Sequence, residues 1–382
     1  MYMKIAIDAR LYGPVGTGIG RYLQNLLREL AEIDKETDYV ILLRKSNFHL
    51  FNPSSENFKK VVIDTPWYSV REQISVPAFL YKEKPDLVHF PHINVPLVWP
   101  GKYIVTVHDL TVGKFGGRKA STRSLPLFLV KNLGFKIVLN QALRRAQKIL
   151  VPSKYVGGEV EKNYRLPKSK VEVIYESVEP SFADLGKGKI AEGRLKMILS
   201  KYGIKTPYLI YVGSFYPHKN LEILLESLNK INQPLRLVLV GKRDKFVLRL
   251  AQKVRDLSLE TRVVFTGFVP DDELALLLRL AKAFVYPSAS EGFGLPGLEA
   301  MSLGCPVIAA KATALPEIYA GAALYFDPSS AKDLATKITT LLDDQNLQAD
   351  LKKRGLEQIK KYSWRELALK TLAIYREVLA TK

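Results

Sequence analysis

Cysteine is almost absent from this chain, with one residue, Cys305, in 382. A lone thiol closes no internal disulfide, which sets aside the disulfide-stapled secreted domains and fits a reducing compartment. Uninterrupted apolar runs are lacking as well. The longest, 124–143, is broken by Lys131 and Lys136, and the apolar start before Asp8 is too short for the core of a signal peptide. Acidic residues are outnumbered, with Asp+Glu 38 against Lys+Arg 57, a formal charge of +19. That balance favours an anionic partner: nucleic acid, phospholipid headgroups or phosphorylated small molecules. The pattern GxxxxGK[ST] is missing, which disfavours nucleotide hydrolysis on a P-loop.

What is present reads as an ordinary globular composition, 47% hydrophobic and 25% charged. The length suits two domains of roughly 150 to 200 residues. β-rich runs alternate with helical patterns (KIAID, YVILL, KKVVI, DLVHF, YIVTVHD, QKILVPS), the rhythm of a parallel sheet covered on both faces. After VEVIYESV and a Gly-rich, charged stretch the rhythm restarts with YLIYVGS, LRLVLVG, VVFTGF, AFVYPS, PVIAA and ALYFD. The expected division is an α/β domain over 1–177, a second over 178–363, and a terminal helix over 364–382. Ser363 and Glu366 stand at capping-box spacing before that helix.

In open parallel sheets ligands sit beyond the carboxyl ends of the strands, so the loops there hold the functional information. The first loop, ARLYGPVGTGIGRY, carries Gly16, Gly18 and Gly20 ahead of a helix, which lets backbone approach a phosphate or sugar; a tight turn is the plainer reading. Its spacing is not the dinucleotide fingerprint, and Arg44 and Lys45 stand where a nicotinamide-binding fold often places an acid. In YIVTVHD, His108 is suited to exchange a hydrogen bond with a sugar hydroxyl or to act as a general base, unless its neighbours simply satisfy it. His89 and His92 lack carboxylates or cysteines at ligand spacing, so no metal is expected. In YVGSFYPHKN, Gly213, His218 and Lys219 precede a helix and make a candidate anion site, with Lys242 and Arg243 after the next strand. The segment EGFGLPGLEA holds Glu291 and Glu299 eight positions apart and no nucleophile. Phe293, Gly294 and Leu295 would offer amides at the start of a helix opened by Pro296. Carboxylates take vicinal hydroxyls well, so two acids need not be an acid/base pair.

With its flanks AKAFVYPS and GCPVIAA, EGFGLPGLEA resembles the E-x7-E region of the retaining glycosyltransferases of family 4; TVHD, VPSKYV, YVG...HKN and the final helix extend the likeness over nearly the whole chain. The resemblance implies the GT-B fold: two Rossmann-like domains facing across a cleft, the last helix crossing back to the first. It implies a nucleotide-sugar donor, a substrate and not a cofactor, held by the second domain. Glu299 would take the ribose hydroxyls, Glu291 the sugar hydroxyls, and Lys219 the diphosphate, with amides of Gly294 and Leu295. His108 would lie near the sugar, and the Gly16–Gly20 loop near diphosphate and acceptor. Many members carry an arginine where this chain has Phe215, so Lys242, Arg243 or His218 would have to assist Lys219. No D-x-D triplet occurs, so fixed positive groups would replace a metal in stabilising the departing diphosphate.

Between 111 and 158 there is no Asp or Glu, while Lys136, Arg144, Arg145 and seven other cations interleave with apolar residues. Such a stretch suits an anionic membrane surface, or is an ordinary helix with solvated lysines. The expectation is a cytoplasmic enzyme, peripheral on the inner membrane face if that stretch binds lipid. It would move a hexose, first mannose from GDP-mannose, onto a saccharide or polyprenyl-linked acceptor. UDP-sugar transfer, a soluble-acceptor synthase and a sugar-nucleotide epimerase are the alternatives. A nucleic-acid partner is disfavoured because no recognisable module accompanies the charge.

Overall fold

The computed structural model describes residues 3–14, 17–67, 69–110, 125–185, 188, 192–242 and 244–381. They form two compact units. One comprises the described residues up to Glu176 together with Ser363–Thr381; the other runs over Ser177–Tyr362.

The first unit is a seven-stranded sheet ordered β3-β2-β1-β4-β5-β6-β7. The strands are β1 (Lys4–Asp8), β2 (Asp38–Leu43), β3 (Phe58–Val62), β4 (Leu87–Phe90), β5 (Tyr103–Thr106), β6 (Ile149–Val151) and β7 (Val171–Val173). Every pairing is parallel. β1, β4, β5 and β6 are buried along almost their whole length, which is why they read as continuous apolar runs without alternation. From β1 the chain winds outward to β2 and β3, then returns to β4 on the other side, so β1 and β4 flank the topological switch point.

On one face lie the helix Thr17–Ile33 and the terminal helix Trp364–Ala380, with Leu23, Leu27, Leu30, Leu367, Leu372 and Tyr375 in a common core. Ser363 caps the terminal helix by accepting from the Glu366 amide at 3.3 Å. A chain segment more than 180 residues away in sequence thus completes the first unit's core. Among the described residues, no helix is long and apolar enough to cross a membrane.

The second unit repeats the design with six parallel strands ordered β10-β9-β8-β11-β12-β13. These are β8 (Tyr208–Val212), β9 (Arg236–Val240), β10 (Val263–Gly267), β11 (Ala283–Tyr286), β12 (Val307–Ala310) and β13 (Ala323–Phe326). Here the switch point lies between β8 and β11, and the loops after those strands begin with Gly213 and lead to Glu291.

Candidate functional site

In the second unit the two loops at the switch point are tied together. After β8 the chain turns through Pro217–Lys219, passes Asn220 in the left-handed conformation (φ 55°), and enters the helix Leu221–Leu228. The His218 carbonyl accepts from the Ala289 amide at 2.8 Å, and Asn220 Nδ2 donates to the Pro328 carbonyl at 2.9 Å. With its backbone fixed on both sides, Lys219 donates from Nζ to Glu291 Oε1 at 2.6 Å. Both side chains are largely shielded, at 15% and 12% exposure, and the Lys219 ammonium lies 5.7 Å from the Tyr286 ring centre. A lysine and a glutamate 72 residues apart in sequence become one charge pair with little freedom to move.

The segment after Glu291 is shaped by backbone. Gly294 has φ 98°, which a residue with a Cβ adopts only under strain, and the helix Leu295–Ser302 starts there with Pro296 in its first turn. The buried Tyr319 donates its hydroxyl to the Gly294 carbonyl at 2.6 Å. A Cβ on Gly297 would stand 2.2 Å from that hydroxyl oxygen, so the helix can rest on Tyr319 only because residue 297 has none. Glu291 is held from behind by its own amide, which donates to Thr313 Oγ1 at 3.0 Å. The result is a helix start whose first amides have no intrahelical carbonyls, beside a fixed ammonium and a fixed carboxylate: an anion cradle with a hydroxyl acceptor at its edge.

The remaining sequence-derived candidates here separate by role. Glu299 lies buried on the Leu295–Ser302 helix. The Phe293 ring is buried edge-on against Tyr362 at 5.6 Å, so that side chain is packing. Phe215, at the position often filled by arginine, is core: its ring lies 6.3 Å from Tyr211 and 6.2 Å from Phe265. Gly213 and Gly241 allow that packing, since a Cβ on Gly241 would sit 2.1 Å from the Gly213 carbonyl. The His218 ring is stacked on Tyr216 at 5.9 Å, and Lys242 is exposed after β9. Arg243 lies outside the described residues.

In the first unit, Gly16 and residues 111–124 of the basic stretch lie outside the described residues. Gly18 and Gly20 fall in the first turn of the Thr17–Ile33 helix. A Cβ on Gly18 would meet open space, whereas one on Gly20 would stand 2.0 Å from the Gly13 carbonyl. Gly20 therefore seats the helix on the preceding turn. Of the cations beyond, Arg145 is spent on the Leu97 and Trp99 carbonyls, while Leu133 and Ile137 are exposed.

His108, just beyond β5, makes two ring hydrogen bonds: Nδ1 to Glu176 Oε1 at 3.0 Å and Nε2 to the Pro91 carbonyl at 3.1 Å. The Tyr22 ring stands edge-on to it at 4.8 Å. Behind Tyr22 runs a buried chain: its hydroxyl contacts Thr106 Oγ1 at 3.3 Å, Thr106 contacts His89 Nε2 at 2.8 Å, and His89 Nδ1 contacts the Tyr375 hydroxyl at 2.7 Å. Burial lowers the His89 pKa from 6.5 to about 3, so this ring is neutral.

At the switch point itself lies a cluster that motif reading overlooked. Arg10 grips Asp8 with Nε at 2.7 Å and Nη2 at 2.6 Å, and the same Nη2 reaches Glu72 Oε1 at 2.5 Å. Asn94 Nδ2 donates to the other Glu72 oxygen, and the Asn94 amide donates to His92 Nδ1 at 3.1 Å, which leaves His92 Nε2 to donate to Asp8 at 3.3 Å. All five side chains are buried. Burial by itself would raise the Asp8 pKa, but Arg10, with His92 behind it, holds it far below the carboxylate range. The only sequence signal was a D-x-R triplet at the end of a buried strand. His89 is bonded to Tyr375 and Thr106, and His92 to Asp8 and the Asn94 amide.

Comparison with known proteins covers both units. The model of the glycosyl transferases group 1 matches residues 199–358, and that of glycosyltransferase family 4 matches residues 16–182. The chain is 27% identical to O-antigen chain mannosyltransferase B of Escherichia coli, over 94% of this chain and 96% of the relative. It is also 27% identical to O-antigen chain mannosyltransferase RfbU of Salmonella typhimurium, over 86% and 88%. Among solved structures, a sucrose-phosphate synthase of Thermosynechococcus elongatus superimposes with a TM-score of 0.77 at 22% identity over 100% of both chains, a likeness of fold.

Proposed function

This chain belongs to the family-4 glycosyltransferases of GT-B fold, and from that premise we propose that it transfers a mannosyl residue from GDP-mannose, with retention, to a saccharide or polyprenyl-linked saccharide in cell-surface polysaccharide assembly. The observation that carries the reading is the Lys219–Glu291 pair beside the Gly294 helix start. It offers a cation and backbone amides for a diphosphate and a carboxylate for sugar hydroxyls, at the crevice where an open α/β sheet binds ligands. Glu299 is assigned to the ribose, Gly294 and Leu295 amides to the phosphates, and His108 to the sugar. The full-length mannosyltransferase relatives support mannose as the sugar.

Stabilising the leaving diphosphate in the transition state is the main catalytic task, and fixed dipoles and charges do it without reorganisation. With no protein nucleophile in EGFGLPGLEA, the acceptor hydroxyl attacks on the face that the diphosphate leaves, and the departing phosphate takes its proton. Lys219 is the cation of the clamp, Phe215 being buried in the core; no metal is assigned a role. The exposed Leu133 and Ile137 beside Lys136 support contact of this helix with an anionic membrane, which would bring a lipid-linked acceptor to the enzyme.

The test is a thermal-shift titration with GDP, UDP and ADP, followed by transfer assays. GDP at about 100 times its Kd is expected to add about 2.7 kcal/mol of stability, more than UDP or ADP. Glu291→Gln and Glu299→Gln are expected to fold and to lower kcat/KM by about 100- to 1,000-fold. Preference for UDP would reassign the donor; both variants at full kcat/KM would sink the assignment of the two acids.

A further inference from the structure

The hydrogen-bond partners of His108 fix its proton count. Nε2 faces the carbonyl of Pro91, which can only accept, so Nε2 carries a hydrogen. A neutral ring would then present a bare Nδ1 to the Glu176 carboxylate, two acceptors at 3.0 Å. One more proton must lie on that contact, and an imidazole is ordinarily the stronger base of the two. The surroundings suit a cation. The Tyr22 ring lies 4.8 Å away at 78° to the imidazole and brings no competing positive charge. His89, behind Thr106, is neutral, and Tyr22 keeps its phenolic proton because burial and the Glu176 charge both raise its pKa. His92 donates to Asp8 from Nε2 and accepts at Nδ1, so it too adds no charge.

We propose that Glu176 is a positioning residue that keeps His108 doubly protonated, so that His108 serves as a fixed cation beside the donor sugar and not as a general base; this rests on the placement of His108 at the sugar given above. A ring with a hydrogen on each nitrogen has no lone pair to accept from a hydroxyl. It can stabilise negative charge that develops as the diphosphate leaves, in the way a buried carboxylate supports an imidazolium in other active sites. Glu176 stands three residues past β7, so the far edge of the first sheet supplies the partner of a side chain that follows β5.

The decisive variant is Glu176→Gln. Its amide can donate to Nδ1, which keeps the contact and removes the need for the second proton. In the full-length protein with 15N-labelled histidine, near neutral pH, wild type should show both His108 ring nitrogens protonated, with the signal assigned by its loss in His108→Gln. Glu176→Gln should show the neutral ring with hydrogen on Nε2, an unchanged Tm, and GDP release from GDP-mannose slowed about 100-fold in kcat with KM nearly constant. Glu176→Asp should recover part of both signals. A neutral His108 in wild type overturns the proposal, and does so even if Glu176→Gln fails to fold. A variant that loses the second proton at wild-type kcat overturns it as well. Full activity in His108→Gln instead removes the underlying placement at the sugar, an outcome the resonance data distinguish.

Discussion

The two switch points of this molecule are built by opposite means. In the second unit the crevice between β8 and β11 is made largely of backbone: Gly213, Gly241, Gly294 and Gly297 allow approaches that any Cβ would forbid, and one ion pair supplies the charge. In the first unit the crevice between β1 and β4 is made of side chains, with Asp8, Arg10, Glu72, His92 and Asn94 bonded to one another out of reach of solvent. A backbone cradle leaves its polar groups available to a ligand. A closed side-chain cluster spends its own on rigidity, fixing the Pro91–Asn94 segment whose carbonyl holds His108. The first unit therefore has more to lose from a single charge change.

Arg10→Met is expected to have the largest effect. It leaves two carboxylates buried without their cation and is expected to cost about 3 to 5 kcal/mol, whereas the triple change that also makes Asp8→Asn and Glu72→Gln should recover most of the loss. The three tryptophans, Trp67, Trp99 and Trp364, all belong to the first unit. Urea unfolding followed by tryptophan fluorescence thus reports on this unit alone. A loss under about 1 kcal/mol for Arg10→Met would mean that the cluster does not hold the fold, since surface ion pairs are worth no more than that.

A second effect separates two groups of the first unit by pH. His89 is neutral in the folded chain down to about pH 3, while the unfolded chain takes up its proton near 6.5. The unfolded state binds the extra proton between those values, so His89's contribution is complete above about pH 6.5 and is lost as pH falls toward 3, by up to about 1.4 kcal/mol per pH unit. Asp8, with its pKa depressed, contributes above the ordinary carboxylate value and loses that contribution only at more acid pH, so the two windows separate. His89→Gln should flatten the dependence of the tryptophan-reported urea midpoint between pH 6.5 and 4.5; an unchanged slope would mean that His89 is not buried neutral.

The same contrast explains what could be read from the sequence. Parallel strands buried on both faces announce themselves as apolar runs, and the glycines, Lys219 and the two glutamates sit within short segments whose chemistry is local. Glu176, Tyr22, Glu72 and Tyr319 carry no such mark. His108 and Glu176 are 68 residues apart, and their contact follows from β5, β6 and β7 lying side by side, which no spacing rule encodes. Tyr375 reaches His89 across 286 residues because the terminal helix returns to the first sheet, a pairing that periodicity leaves open. Phe215 shows the limit from the other side. Its position in the loop suggested a missing cation, and only packing against Tyr211, Phe265 and Gly241 shows it to be core.

Tyr319→Phe is the smallest change, and it acts on the second unit alone. The variant keeps the ring on which Gly297 rests and removes only the hydroxyl that holds the Gly294 carbonyl. Losing one such bond is worth about 1 kcal/mol, equivalent to roughly fivefold in an equilibrium constant. Because the cradle is backbone, the loss should fall on how well its amides are aimed: KM for GDP-mannose should rise about fivefold with kcat little changed, and the tryptophan-reported unfolding of the first unit should not move. If kcat fell instead with KM constant, the Gly294 turn would be acting on the transition state more than on the bound donor. A shift in the tryptophan transition would mean that the two units do not unfold separately, and the contrast drawn between their crevices would then describe one cooperative structure.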